Sequence, residues 1–134
     1  MLALSAVAAV PVVEDGPVAP RISELEVTPV TGSWDTSYTI VLRITDPQGA
    51  EDIVALLYQI RERSELIQIK INDEGRGADR VAGDGLFTGE SVVPDTAAIG
   101  VHHFQLFVRD RGGHQSNMLQ YRFTVEPGPR LIPI

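Results

Sequence analysis

From Pro20 onward, apolar and polar residues alternate in short runs bounded by Gly, Pro and Asp, and a helical spacing is nowhere sustained. This pattern predicts strands of about 5–8 residues each. The runs are Ile22–Val27, Tyr38–Thr45, Ile53–Ile60, Leu66–Ile71, Leu86–Val92, Val101–Arg109 and Met118–Val125, seven in all. Successive side chains of a strand point to opposite faces, so the alternation assigns an inward set to each run. These sets are Ile40, Leu42 and Ile44; Leu56, Tyr58 and Ile60; Ile67, Ile69 and Ile71; Phe104, Leu106 and Val108; and Leu119, Tyr121, Phe123 and Val125. Asp52–Glu65 also carries apolar residues at i, i+3, i+4 spacing in IVALLYQIRER. A helix is the alternative reading there; the strand is preferred.

Seven short strands with short connections predict an all-β, antiparallel sandwich, and the 134 residues suffice for about one domain. The expected organisation is an apolar N-terminal arm over 1–19, the sandwich over 20–127 and a tail over 128–134. If consecutive strands run antiparallel, the loops alternate between two ends. One end receives Asp46–Asp52, Asn72–Gly85 and Asp110–Asn117; the other receives plainer turns around Gly32, Arg63 and Pro94–Gly100. The first set holds Asp46, Glu51, Asp52, Asp73, Glu74, Asp79, Asp84 and Asp110 against Arg76, Arg80 and Arg111, which is −5 of the chain's −7. An acidic balance argues against nucleic acid or anionic lipid as the main partner, because both reward clustered Lys and Arg. Ten of the eleven bases are Arg and only Lys70 is lysine.

The chain contains no cysteine, so disulfides, thiolate zinc sites and cysteine nucleophiles are all excluded. Residues 2–13, LALSAVAAVPVV, form an apolar run too short for the roughly 20 residues of a membrane-spanning helix. The run resembles the h-region of a secretory signal, with Ala6 and Ala8 in an A-x-A arrangement, but no positive segment follows Met1. Packing on its own domain and docking on a neighbour are both open for this arm. The tail PGPRLIPI is similarly apolar. The partner-contact residues expected from these two segments are Leu2, Leu4, Val7, Val10, Val12, Val13, Leu131 and Ile132.

The loop text NDEGRGADRVAGDGLFT, together with DPQGAEDI and DRGGHQSN, resembles the Ig-like domains of bacterial surface and exported proteins. The resemblance covers roughly Pro20–Pro127. It implies an Ig-like or fibronectin-III-like sandwich and an extracytoplasmic location, periplasmic or at the cell surface, and it implies no catalytic residues. From the residues themselves, Asp73, Asp79 and Asp84 with Asn72 present the oxygen-rich, Gly-spaced chemistry that calcium uses. Turn formation accounts for the same residues without an ion, since Asp and Asn cap their own backbone and Gly supplies positive φ. The spacing does not match an EF-hand loop, and Arg76 and Arg80 stand among the acids. The expectation is therefore no metal and no cofactor, with calcium at Asp73, Asp79 and Asp84 as the alternative.

Other candidates for chemistry are sparse. His102 and His103 are adjacent on a strand and point to opposite faces, so they cannot easily share a metal, and His114 reads as a solvated loop residue. Ser33, Ser37, Ser91 and Ser116 lie in no nucleophile motif. Trp34 is expected to plug the end of the sandwich, with an exposed binding aromatic as the alternative. The functional expectation is a non-catalytic structural or interaction subunit. It is an exported module docking through its arms and loop end onto a larger membrane-associated or filamentous assembly of other protein subunits. A calcium- or carbohydrate-binding accessory domain is the alternative.

Overall fold

The computed structural model describes residues 18–62, 65–74 and 83–128. The arm residues Leu2, Leu4, Val7, Val10, Val12 and Val13 and the tail residues Leu131 and Ile132 lie outside that set. Eight strands are present: β1 (Arg21–Thr28), β2 (Thr31–Gly32), β3 (Ser37–Thr45), β4 (Ile53–Ile60), β5 (Leu66–Asn72), β6 (Leu86–Val92), β7 (Gly100–Asp110) and β8 (Leu119–Val125). Seven match the expected runs to within one residue at every end. The eighth, β2, is a two-residue parallel pairing with β8, too short to leave a periodic signal. Asp52–Glu65 is strand over Ile53–Ile60, so the helical alternative fails, and one 3-10 turn at Ala50–Asp52 precedes it. No helix among the described residues is long and apolar enough to cross a membrane.

The order across the curled sheet is β1-β3-β6-β5-β4-β7-β8-β2, which folds into two facing layers. The hinge is β5: Leu66–Lys70 pair with β4, whereas Ile71 and Asn72 pair with Gly89 and Thr88 of β6. The switch brings two backbones close. A Cβ on Gly89 would stand 2.7 Å from the Ile71 Cγ2 and 3.0 Å from the Lys70 carbonyl oxygen, so only glycine fits there. Between the layers lies one core made of Ile22, Tyr38, Ile40, Leu42, Ile44, Leu57, Ile69, Ile71, Val93, Leu106, Val108, Phe123 and Val125. Full burial of each large member is worth about 1.5–3 kcal/mol. The start of β1 is fastened to this core by Asn117, whose side chain receives the Ile22 amide at 2.8 Å and donates to the Ile22 carbonyl at 2.9 Å.

The inward sets of β3, β5, β7 and β8 agree with the alternation, but β4 is out of register by one. Leu57 and Gln59, both fully buried, stand opposite Val108 and Leu106 on the core face, while Leu56, Tyr58 and Ile60 lie on the outer face. The reason is a second apolar layer outside. Tyr58 stacks on Phe107 with ring centroids 5.0 Å apart, and the Arg109 guanidinium lies over both rings. Gln115 Oε1 holds that guanidinium by accepting from Arg109 Nε at 3.2 Å and Nη2 at 3.0 Å. Phe107 is thus completely buried although its register faces away from the core.

Candidate functional site

Antiparallel connection delivers the loops to two ends, and the ends differ in chemistry. At the acidic end, Asp46 closes β3, Asp52 precedes β4 and Asp110 ends β7; oxygens of the three carboxylates lie within 4.8 Å of one another. The loops are laced together by Arg111, whose backbone N–H donates to the Asp52 carbonyl at 2.9 Å and whose side-chain Nε donates to the Glu51 carbonyl at 2.7 Å. Asp110 is buried, yet its carboxyl sits below the usual range. Burial opposes its charge, but the His114 amide at 2.8 Å, the His114 ring at 3.0 Å and Asp52 together outweigh it. His114 is therefore fixed against a buried carboxylate rather than merely solvated, which corrects the sequence expectation.

Asp52 moves the other way. Burial raises its carboxyl above the ordinary value, followed by its contact with Asp110 and the charges of Asp110 and Asp46. Asp46 Oδ2 and Asp52 Oδ2 are buried and receive no hydrogen bond. A proton held between carboxylates or a hard cation with oxygen ligands would each relieve that crowding. The loop singled out from sequence is built differently. Asp73 Oδ2 accepts the Gly85 amide at 2.8 Å and its Oδ1 the Asp84 amide at 3.3 Å, while Asp84 Oδ1 accepts the Leu86 amide at 2.9 Å. Those carboxylates close turns. Asp79, Arg76 and Arg80 lie outside the described residues.

Ser116 ties β7 to the segment that follows it, since its hydroxyl receives the Val108 amide at 2.9 Å and donates to the Asn117 carbonyl at 2.7 Å. Of the two strand histidines, His103 is exposed and His102 half-buried, as the alternation requires.

The opposite end is apolar and concave. A cleft of about 410 Å³ opens between the layers, lined by the apolar Tyr38, Phe104, Phe123 and Val93 and by the polar Arg61, Glu62, Glu65 and His102. Beneath it, buried Gln59 donates from Nε2 to the Tyr38 hydroxyl at 3.3 Å and the Tyr121 hydroxyl at 2.5 Å, and accepts Arg61 Nε at 2.7 Å. Burial and the neighbouring Tyr38 push the Tyr121 phenol well above its ordinary value, so it stays a hydroxyl at physiological pH. His102 bridges Glu62 at 2.9 Å and the Ala98 carbonyl at 2.6 Å.

Trp34 stands at the lip, 41% exposed, with its indole N–H on the Ala97 carbonyl at 2.8 Å. It is no buried plug. Val30, Leu66, Val92, Ile99 and Val101 are 37–53% exposed, and all belong to the same end by the registers of the strands they lie on or adjoin. Among the described residues the acidic end has a single exposed large apolar side chain, Val18. Nothing in the composition distinguished these six, because each comes from a different turn or strand terminus.

No protein-family model and no curated protein matches the chain. Among solved structures it is similar to a PKD domain of an M14-like peptidase from a Thermoplasmatales archaeon, with a TM-score of 0.50 and 20% identity. The match covers 82% of this chain and 97% of that one. The likeness shows the fold, an Ig-like β-sandwich, in agreement with the fold read from the loop phrases.

Proposed function

We propose that the chain is a non-catalytic interaction module of an exported protein, docking onto a larger extracytoplasmic assembly with its apolar end as the main contact face. One observation carries this reading: Val30, Trp34, Leu66, Val92, Ile99 and Val101 are all exposed at one end of the sandwich. Scattered exposed hydrophobes are ordinary, but six of them gathered at one end of the sandwich, against one at the other among the described residues, suit a protein contact. In the same reading, Leu2, Leu4, Val7, Val10, Val12 and Val13 of the apolar arm and Leu131 and Ile132 of the tail are further partner contacts, separate from this end. The test compares partners cross-linked to the wild type in its native source with those of Ile99→Glu/Val101→Glu and of Asp73→Asn. Loss in the Ile99→Glu/Val101→Glu variant alone supports the reading; equal recovery from all three overturns it.

A second reading, a calcium-binding module, is favoured by the buried, unpartnered oxygens of Asp46 and Asp52 beside Asp110. A melting temperature that rises in calcium over chelator, and no longer does so in Asp46→Asn, supports it. An unchanged melt leaves the cluster as a proton-sharing group.

A further inference from the structure

We propose that the outer face of the layer β5-β4-β7-β8 docks a short acidic segment of a partner protein. The distribution of charge is the first argument. The chain holds 18 acids against 11 bases, yet β4, β5 and β8 contain no Asp or Glu, and the single acid of β7, Asp110, is buried and bonded to His114. The same strands carry Lys70, Arg109 and Arg122. The layer β1-β3-β6 is mixed by comparison, with Glu24, Glu26 and Glu90 beside Arg21 and Arg43 and an ion pair between Glu24 and Arg43. Strand alternation turns Lys70, Arg109 and Arg122 outward, because their neighbours Ile69, Ile71, Val108 and Phe123 are in the core. Lys70 and Arg122 are exposed opposite Leu56 and His103, and among the described residues neither has a carboxylate partner.

The build of the face is the second argument. Arg109 is held in place before any partner arrives: its guanidinium lies 5.1 Å from the Tyr58 ring centre and 5.5 Å from that of Phe107, and Gln115 accepts from its Nε and Nη2. Among the described residues its Nη1 has no acceptor, and a fixed fork loses little entropy in gripping an incoming carboxylate. Gln68, across from Tyr58, and the facing pair Gln105 and Gln120 add side-chain amides able to donate to and accept from a peptide backbone. Size selects the occupant. Four strands spaced by about 4.8 Å make a face about 15 Å wide. Carboxylates stand just beyond its strand ends, at Asp52, Glu62, Glu65 and Glu126. A nucleic-acid duplex or an anionic bilayer is broader than the face and would meet those carboxylates. A short acidic segment fits between them, within about one Debye length of the cations.

Hexaglutamate added to the isotope-labelled full chain is the probe, read by backbone NMR. Saturable shifts are expected at amides of β5, β7 and β8 around Lys70, Arg109 and Arg122, weakening as salt rises, with no response to hexaglutamine. Lys70→Gln and Arg122→Gln, both at exposed positions that the core does not use, should each weaken hexaglutamate by about two- to fivefold, the range of an exposed charge pair. Arg43→Gln, in the other layer, should leave the affinity unchanged. Absence of saturable shifts overturns the inference, as does an equal response to hexaglutamine or an equal loss in Arg43→Gln. A short DNA duplex or phosphatidylserine vesicles binding more tightly through the same residues overturns the assignment to a protein segment. Recovery of native partners through the apolar end is a separate readout, so either result can fail while the other holds.

Discussion

At the acidic end, charged loops are tied to each other by backbone and carboxylate hydrogen bonds, and among the described residues Val18 is the one exposed large apolar side chain. At the apolar end, Gln59, Tyr38 and Tyr121 are bonded to one another inside the fold, and six large hydrophobic side chains are exposed. Both ends belong to the same strands. An all-β scaffold can therefore keep its core constant while its two loop sets carry unrelated chemistry, and function has to be argued end by end rather than from the fold.

The core joins the two ends, so core substitutions should break both together and give the largest effects. Leu106→Ala and Phe123→Ala are each expected to cost about 2–5 kcal/mol in chemical denaturation. Both residues are almost completely buried between the layers. A loss below about 0.5 kcal/mol at either position would place the register of β7 or β8 one residue away. Next comes Gly89→Ala, at about 1–3 kcal/mol, because the added methyl meets Ile71 and the Lys70 carbonyl where β5 changes layers. A neutral result would mean that β5 and β6 are farther apart than this crossing requires.

The strands were legible because one face of each is buried and the other is not. β4 shows where that signal fails. In IVALLYQI both faces are apolar, since Leu57 serves the core and Tyr58 serves the outer stack with Phe107. The one polar residue, Gln59, reads as outward, yet it is inside with its amide satisfied by two tyrosines and Arg61. Burial with complete hydrogen bonding is invisible to a polarity pattern. The antiparallel reading already put Asp46, Asp52 and Asp110 at one end, but their approach to within 4.8 Å was not legible, because it depends on how loops far apart in sequence pack together. The Asn72–Gly85 phrase drew attention to itself through local turn chemistry, and its described carboxylates are engaged in turns.

Gln59→Ala separates the ends. Removing the amide strands two tyrosine hydroxyls and Arg61 beneath the cleft, at an expected cost of about 1–3 kcal/mol. Trp34 emission should shift with it, while the response of the acidic cluster to calcium, whatever its size, should stay as in the wild type. A change in that response would show that the two ends are coupled through the core.

The smallest expected effect falls on the acidic end and is a matter of sign. The Asp52 carboxyl is raised in the fold above its unfolded value, so the stability it contributes is fully present at low pH, below the ordinary 3.8, and is lost as pH rises through the raised value. Asp110 is lowered, so its contribution is present above the ordinary 3.8 and is lost as pH falls through the depressed value. As pH rises through the raised value, the Asp110 contribution remains while Asp52 takes up a charge that Asp110 and Asp46 oppose. Asp52→Asn removes that repulsion and keeps a group able to donate toward Asp110. In chelator at pH 7 the variant should melt slightly higher than the wild type, and the difference should vanish near pH 3. In calcium the order should reverse if the three carboxylates hold the ion, because the variant has lost one of them. An Asp52→Asn variant less stable than the wild type in chelator at pH 7 would refute the proton-sharing geometry and remove the electrostatic contrast between the two ends.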